Sequence, residues 1–149
     1  MHSIDNSSLW IVLQKDSLEF LLKKAKEFEK KYEWLQAAKI YKEASNLVLK
    51  EKAFLKAAEF QEKLGFCFYR TALQAKTNIN FKKTIKKSIL AHEKESKILE
   101  EKDEEKYRVK IIHANALTAY LKSWHESDSK KKNKLLKKSS LYAAAHSKI

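Results

Sequence analysis

Five histidines and one cysteine are the side chains best suited to acid–base, nucleophilic or metal chemistry in this 149-residue chain. The histidines are His2, His92, His113, His125 and His146. Helical zinc sites place two histidines four residues apart with a glutamate between them, and helical di-iron sites place a histidine three residues after a glutamate. Neither spacing occurs here, so the histidines predict no metal site.

The remaining reactive group is the thiol of Cys67, which lies within an apolar run. Burial there keeps a thiol protonated and poorly nucleophilic. The chain has a single glycine, which is too few for a glycine-rich loop that wraps phosphates. We therefore expect a protein that is not an enzyme and needs no cofactor. His92 falls on the apolar stripe of a predicted helix, and we interpret it as a hydrogen-bonded core residue.

Lysine is the residue type that offers binding chemistry through charge. The net charge is +13, and residues 106 to 149 contribute +9 of it, with eleven Lys or Arg against two acidic residues. Two dense clusters stand out, one at the start of the fourth predicted helix and one in the sixth. Their members are Lys82, Lys83, Lys86, Lys87, Lys130, Lys131, Lys132, Lys134, Lys137 and Lys138.

Such clusters fit the phosphates of a nucleic acid or the surface of an anionic membrane. However, 30 of the 32 basic residues are lysine, so the chain has few of the bidentate arginines that read phosphates and guanine edges. No RNA-reading or DNA-reading motif accompanies the charge. Anion binding is therefore our second hypothesis for function, and a solvated lysine-rich face without a ligand is the alternative interpretation.

The elements that position these residues are predicted to be helices throughout. One Gly and no Pro leave few residues for the tight turns of a β-sheet, and 44% hydrophobic with 34% charged residues is typical of amphipathic helices. Apolar residues recur at three and four residues along most of the chain. We predict an all-α fold of about six helices in one domain, arranged as three antiparallel hairpins near residues 17 to 50, 52 to 102 and 104 to 147.

Capping residues predict where several helices start. Asp16 with Glu19 has the spacing of a capping box, so residues 5 to 15 are expected to form a separate short turn or helix. Asn80 is expected to cap the fourth helix, and Ser127-Asp128-Ser129 the sixth. The junction near residues 50 to 52 contains no helix breaker, so the second and third helices are the least clearly separated pair.

Small and aromatic residues alternate along residues 25 to 44, AKEFEKKYEWLQAAKIYKEA. In order and spacing, this pattern resembles the tetratricopeptide repeat. The matching residues are Ala25, Phe28, Trp34, Ala37, Tyr41 and Ala44. The match covers residues 18 to 50, and the later hairpins are similar in architecture only, as in the irregular repeats of the soluble NSF attachment proteins. The first hairpin also resembles a microtubule-interacting-and-transport domain, but such a domain would end near residue 80.

The resemblance implies a right-handed stack of hairpins whose first helices line a concave groove for a peptide or partner helix. The candidate partner-binding residues on those helices are Lys26, Glu62, Phe66, Tyr69 and Arg70. Packing of Phe66 and Tyr69 against a neighbouring helix is the alternative interpretation. Some family members bind a C-terminal carboxylate through Lys and Asn, a pattern that this chain lacks. Our first hypothesis is thus a protein–protein interaction scaffold.

The expected cellular location follows from three features that the sequence lacks: a membrane span, a secretory signal and a second cysteine. The longest apolar run near its start covers residues 9 to 13, far below the ~20 residues that a membrane span requires. No secretory signal pattern surrounds this run. A single cysteine allows no internal disulfide and suits a reducing compartment. We therefore expect a cytoplasmic protein.

Overall fold

The structure, a computed structural model, describes the backbone of residues 6 to 147 and the side chains of residues 17 to 142 and 144. Within these residues it contains six α-helices and no strand, which confirms the predicted all-α class. The helices are α1 (Asn6–Lys30), α2 (Trp34–Lys50), α3 (Phe54–Leu73), α4 (Asn78–Lys102), α5 (Arg108–His125) and α6 (Ser129–Ser147). One turn of 3-10 helix, Glu105–Tyr107, precedes α5. In this part of the chain, no helix has the length and apolar character needed to cross a lipid bilayer.

The helices pack in chain order, each one against the next. The connections are three to five residues long, so consecutive helices run antiparallel. The helices α1 and α3 run parallel to each other and touch near their C-terminal ends. There the Gln74 side-chain amide donates to the Tyr32 carbonyl at 3.3 Å, and the Cys67 thiol lies 4.0 Å from a Glu29 carboxylate oxygen.

The first helix is longer than the sequence predicts. Residues 6 to 30 form one continuous helix, so the separate element at residues 5 to 15 and the capping box at Asp16 and Glu19 are wrong. No Gly or Pro interrupts this stretch, and an aspartate inside a helix costs only about 0.7 kcal/mol relative to alanine. The side chain of Asp16 lies outside the described residues.

Two helix ends use the same left-handed turn without glycine. Tyr32 (φ 59°) and Lys52 (φ 60°) both have positive φ. After α1, the Glu33 N–H donates to the Phe28 carbonyl at 2.9 Å, and after α2 the Ala53 N–H donates to the Val48 carbonyl at 2.9 Å. In addition, the Tyr32 N–H donates to the Glu29 carbonyl and the Lys52 N–H donates to the Leu49 carbonyl, both at 3.0 Å. Each pair of bonds defines a Schellman motif, which satisfies the last carbonyls of the helix. The chain therefore turns near residues 50 to 52 although no helix breaker is present.

Two predicted N-caps have different outcomes. Helix α4 is capped by Thr77, whose hydroxyl accepts from the Asn80 backbone N–H at 3.2 Å, so the prediction that Asn80 is the cap is wrong. The cap predicted at residues 127 to 129 is confirmed, because a carboxylate oxygen of Asp128 accepts from the Lys131 N–H at 3.0 Å. In each case a short polar side chain satisfies a free amide of the first helical turn.

The core is built on small residues at the helix crossings. Ala25, Ala37 and Ala44 are completely buried, and Tyr41 fills the space beside them. Alanine at these positions lets the helix axes approach closely, while the aromatic ring supplies buried apolar area. The repeat-like pattern of residues 25 to 44 therefore forms the interior of the first hairpin.

Each interface between consecutive helices carries at least one side-chain hydrogen bond. One bond from each interface, from α1/α2 to α5/α6, is Tyr41 to Glu29, Ser45 to the Ala57 carbonyl, Ser88 to the Gly65 carbonyl, Ser96 to Asn115, and Ser139 to the Ala116 carbonyl. A buried polar atom is costly without a partner, so such bonds favour one register between neighbouring helices.

Candidate binding groove

The candidate site is an open cavity of about 550 Å³ lined mainly by α3 and α5, with one residue each from α1 and α4. This volume lies within the ~300 to 1,000 Å³ typical of ligand sites. The residues that line it are Glu29, Glu62, Lys63, Phe66, Tyr69, His92, His113, Leu117, Tyr120 and Leu121. We call this cavity the first-helix groove, because only His92 comes from a second helix of a hairpin.

Helical spacing explains how two of the helices line the groove. On α3, Glu62, Phe66 and Tyr69 are separated by four and three residues, so they share one helix face. The same spacing continues on α5 with residues 113, 117 and 120. Each face has one polar residue followed by two apolar or aromatic residues, and the two faces meet across the groove.

The groove has an aromatic wall that remains open to solvent. Phe66 is 47% exposed and Tyr120 is 40% exposed. The Phe66 ring stands edge-on to the buried Trp34 ring, with centroids 5.6 Å apart, and Tyr69 packs 5.7 Å from Trp124. Phe66 and Tyr69 thus contact neighbouring helices, as the alternative interpretation predicted, yet Phe66 also exposes about half of its surface to solvent.

A cluster of acidic and neutral groups lies at the α1 side of the groove. The Tyr41 hydroxyl donates to Glu29 at 3.1 Å, and burial and this carboxylate raise the pKa of Tyr41 well above its ordinary value. Burial and the Glu29 carboxylate also raise the pKa of Cys67 to about 12, so its thiol stays protonated at neutral pH. The Lys63 amine lies 5.6 Å from the centre of the Tyr41 ring.

Beneath the groove lies a buried histidine–glutamate pair. His92 Nδ1 is 3.2 Å from a carboxylate oxygen of Glu95, and both side chains are almost fully buried. This confirms His92 as a hydrogen-bonded core residue. Burial raises the pKa of the Glu95 carboxyl, and the bond with His92 offsets part of this effect. The nearby Glu62 carboxylate raises that pKa further, whereas His113 lowers it.

The structure separates the five predicted partner-binding residues into two groups. Three of them line the groove, namely Glu62, Phe66 and Tyr69. Lys26 is exposed on α1 and Arg70 lies with its guanidinium 5.1 Å from the Trp34 ring centre, and neither lines the cavity. Sequence reasoning missed Glu29 and Tyr120. For Tyr120, the signal was the i, i+4, i+7 spacing on the fifth helix.

The ten clustered lysines lie on α4 and α6, away from the first-helix groove. All are exposed except the half-buried Lys82. None of the ten forms an ion pair with a residue that the structure describes. Two of them lie over aromatic rings, Lys87 at 5.7 Å from Phe68 and Lys138 at 5.8 Å from Tyr142. Most of this charge is therefore available to solvent or to an anion.

Metal-binding chemistry has no candidate cluster in the described part of the chain, where no three His, Cys, Asp or Glu side chains converge as ligands. Comparison with protein-family models, curated proteins and solved structures gives no match to this chain. The first-helix groove and the lysine clusters are therefore the features of this chain from which a function can be inferred.

Proposed function

We propose that this protein is a non-enzymatic interaction scaffold that binds a peptide or partner helix in the first-helix groove. The observation that supports this most strongly is the pair of aromatic side chains, Phe66 and Tyr120, that line the cavity and keep 47% and 40% of their surface exposed. Exposed aromatic rings beside a concavity are typical of protein interfaces, where such side chains contribute most of the binding energy.

The chemistry of the groove supports binding rather than catalysis. The Cys67 thiol is protonated because its pKa is raised to about 12, and His92 is hydrogen-bonded to Glu95. A nucleophile needs the opposite arrangement, with a lowered pKa or an adjacent free base. The proposal includes a tetratricopeptide-like, right-handed stacking of the hairpins and a cytoplasmic location, both of which stay predictions.

A capture experiment with groove variants tests this function. The immobilised full chain is incubated with native lysate, and bound proteins are mapped to peptides. Phe66→Asp combined with Tyr120→Asp should abolish capture of a specific partner, because two charges replace the apolar contact area. Ile79→Asp is the matched control, since Ile79 is 76% exposed but does not line the groove. Equal capture by the groove variant and the control would contradict the proposal.

Anion binding is the second candidate, favoured by the ten clustered lysines that form no ion pair in the described region. Its test is retention of the purified protein by DNA, RNA and acidic vesicles as salt is varied. Replacing Lys130, Lys131 and Lys132 with Ala should weaken retention and reduce its salt dependence, because fewer counterions are released on binding. Absence of binding at low salt would exclude this function.

A further inference from the structure

The first-helix groove carries negative charge although the protein as a whole is strongly basic. Glu29 and Glu62 both line the cavity and both are half-buried, while the net charge of the chain is +13. Lys63 is the single Lys or Arg in the lining. The groove therefore differs in charge from the lysine-rich faces of α4 and α6, and it would attract a different class of partner.

Neither carboxylate is ion-paired with Lys63, the one Lys or Arg of the lining. Within the described residues, neither Glu29 nor Glu62 forms an ion pair with Lys or Arg. Glu29 instead accepts from neutral donors, the hydroxyl of Tyr41 at 3.1 Å and the thiol of Cys67 at 4.0 Å. The Lys63 amine lies over the Tyr41 ring. Two half-buried carboxylates in one groove, not ion-paired with Lys or Arg, favour a ligand that brings a cation to this place.

The aromatic wall supplies the second half of a site for a cationic side chain. Phe66 and Tyr69 have ring centroids 6.5 Å apart, and both line the cavity with the carboxylates. A lysine or arginine side chain combines a long apolar stem with a terminal charge, so aromatic rings and carboxylates in one groove match both parts. An acidic ligand would instead meet like charge from Glu29 and Glu62.

We infer that the first-helix groove selects a peptide segment in which Lys or Arg stands next to an apolar residue. The cation is held toward Glu29 and Glu62, and the apolar side chain packs on Phe66 and Tyr120. This inference depends on the proposed function, since it assumes that the groove binds peptides. It adds the chemical class of the partner and excludes acidic segments from this groove.

Selection from a random peptide display library against the immobilised full chain tests the inference. We expect enrichment of sequences with Lys or Arg beside Leu, Ile, Val or an aromatic residue. Enriched peptides should bind at least about tenfold more weakly to the Glu29→Gln, Glu62→Gln double variant, because a charge-assisted contact is lost while the shape of the side chain is kept. The matched control is Glu43→Gln with Glu59→Gln, which removes two exposed carboxylates outside the groove.

Two further variants separate the failure of this inference from failure of the proposed function. If Phe66→Ala abolishes binding but the enriched peptides are neutral or acidic, or bind the double variant normally, the groove binds peptides and the charge inference is wrong. If the enriched peptides bind Phe66→Ala as tightly as they bind the unmodified protein, the proposed function itself is wrong. Thermal melting of Glu62→Gln alone checks folding. Self-association of the full chain that Phe66→Ala abolishes would place a second copy in the groove and overturn the inference.

Discussion

The only glycine of the chain lies where α3 and α4 approach each other closely. A Cβ atom at Gly65 would lie 2.4 Å from the Nε2 atom of His92, and the other close contacts are also atoms of this buried ring. The Gly65 carbonyl also accepts from Ser88 at 2.7 Å, so α3 and α4 are held together at this point. Glycine is required here for space, since its backbone φ is not in the left-handed region.

We therefore expect Gly65→Ala to lower the free energy of unfolding by about 1 to 3 kcal/mol, through overpacking against His92. In an ordinary helix the same change would raise it by up to about 1 kcal/mol. Urea denaturation measures the difference. The double variant Gly65→Ala, His92→Ala should lose less free energy of unfolding than the sum of the losses in the two single variants, because the ring that clashes is absent. Increased stability of Gly65→Ala would contradict the close approach.

A second prediction at the residue scale concerns Glu95, whose pKa is raised mainly by burial. The folded protein then holds this proton more tightly than the unfolded chain does. Stability should fall as the pH rises from the usual glutamate pKa near 4.5 through the raised value. Glu95→Gln removes this loss, so the variant should gain stability relative to the unmodified protein between pH 4 and 7.

Denaturation curves at several pH values measure this gain. The groups that face Glu95 are His92, His113 and Glu62, and they are unchanged in the variant. Glu43→Gln, an exposed carboxylate on another helix, is the control and should not reproduce the effect. A constant difference between Glu95→Gln and the unmodified protein across this pH range would show that the carboxyl is not desolvated.

At the scale of elements, the helix ends depend on left-handed residues other than glycine. Lys52 has φ 60° at the end of α2 and its side chain is exposed. We expect Lys52→Gly to raise the free energy of unfolding by about 0.5 to 1 kcal/mol, because glycine adopts this conformation without a Cβ clash. Lys39→Gly, in the middle of α2, should lower it by about 1 kcal/mol. Thermal denaturation of both variants tests the turn, and destabilisation by Lys52→Gly would contradict it.

The sequence predicted helices better than it predicted their ends. The three- and four-residue spacing of apolar residues such as Ala37, Tyr41 and Ala44 identified the helices because it reflects one buried face. The turn at Lys52 was not foreseeable, since contacts between α2 and α3 stabilise it, including the Gln61 amide donating to Ser45 at 2.8 Å. Helix α1 continues through Asp16 because a residue that can cap a helix does not end the preceding helix by itself, and no Gly or Pro interrupts this stretch.

At the scale of the whole molecule, the groove was predictable in part. Phe66 and Tyr69 were identified because a helix face can be deduced from spacing alone. Glu29 was not, because its place in the groove depends on how α1 aligns with α3, where it meets Cys67 across 38 residues of sequence. The charge of the groove was not predictable either, since the net charge of +13 gives no sign of a groove lined by two carboxylates and one lysine.

The most direct test of binding in the first-helix groove is site-specific photo-crosslinking with a captured partner. A benzoylphenylalanine residue is introduced in place of Phe66, which lines the groove, and in a second protein in place of Lys131 on α6. The proposed function predicts a covalent adduct from position 66 and none from position 131. Crosslinking from position 131 alone would contradict it and place the partner on the lysine-rich face.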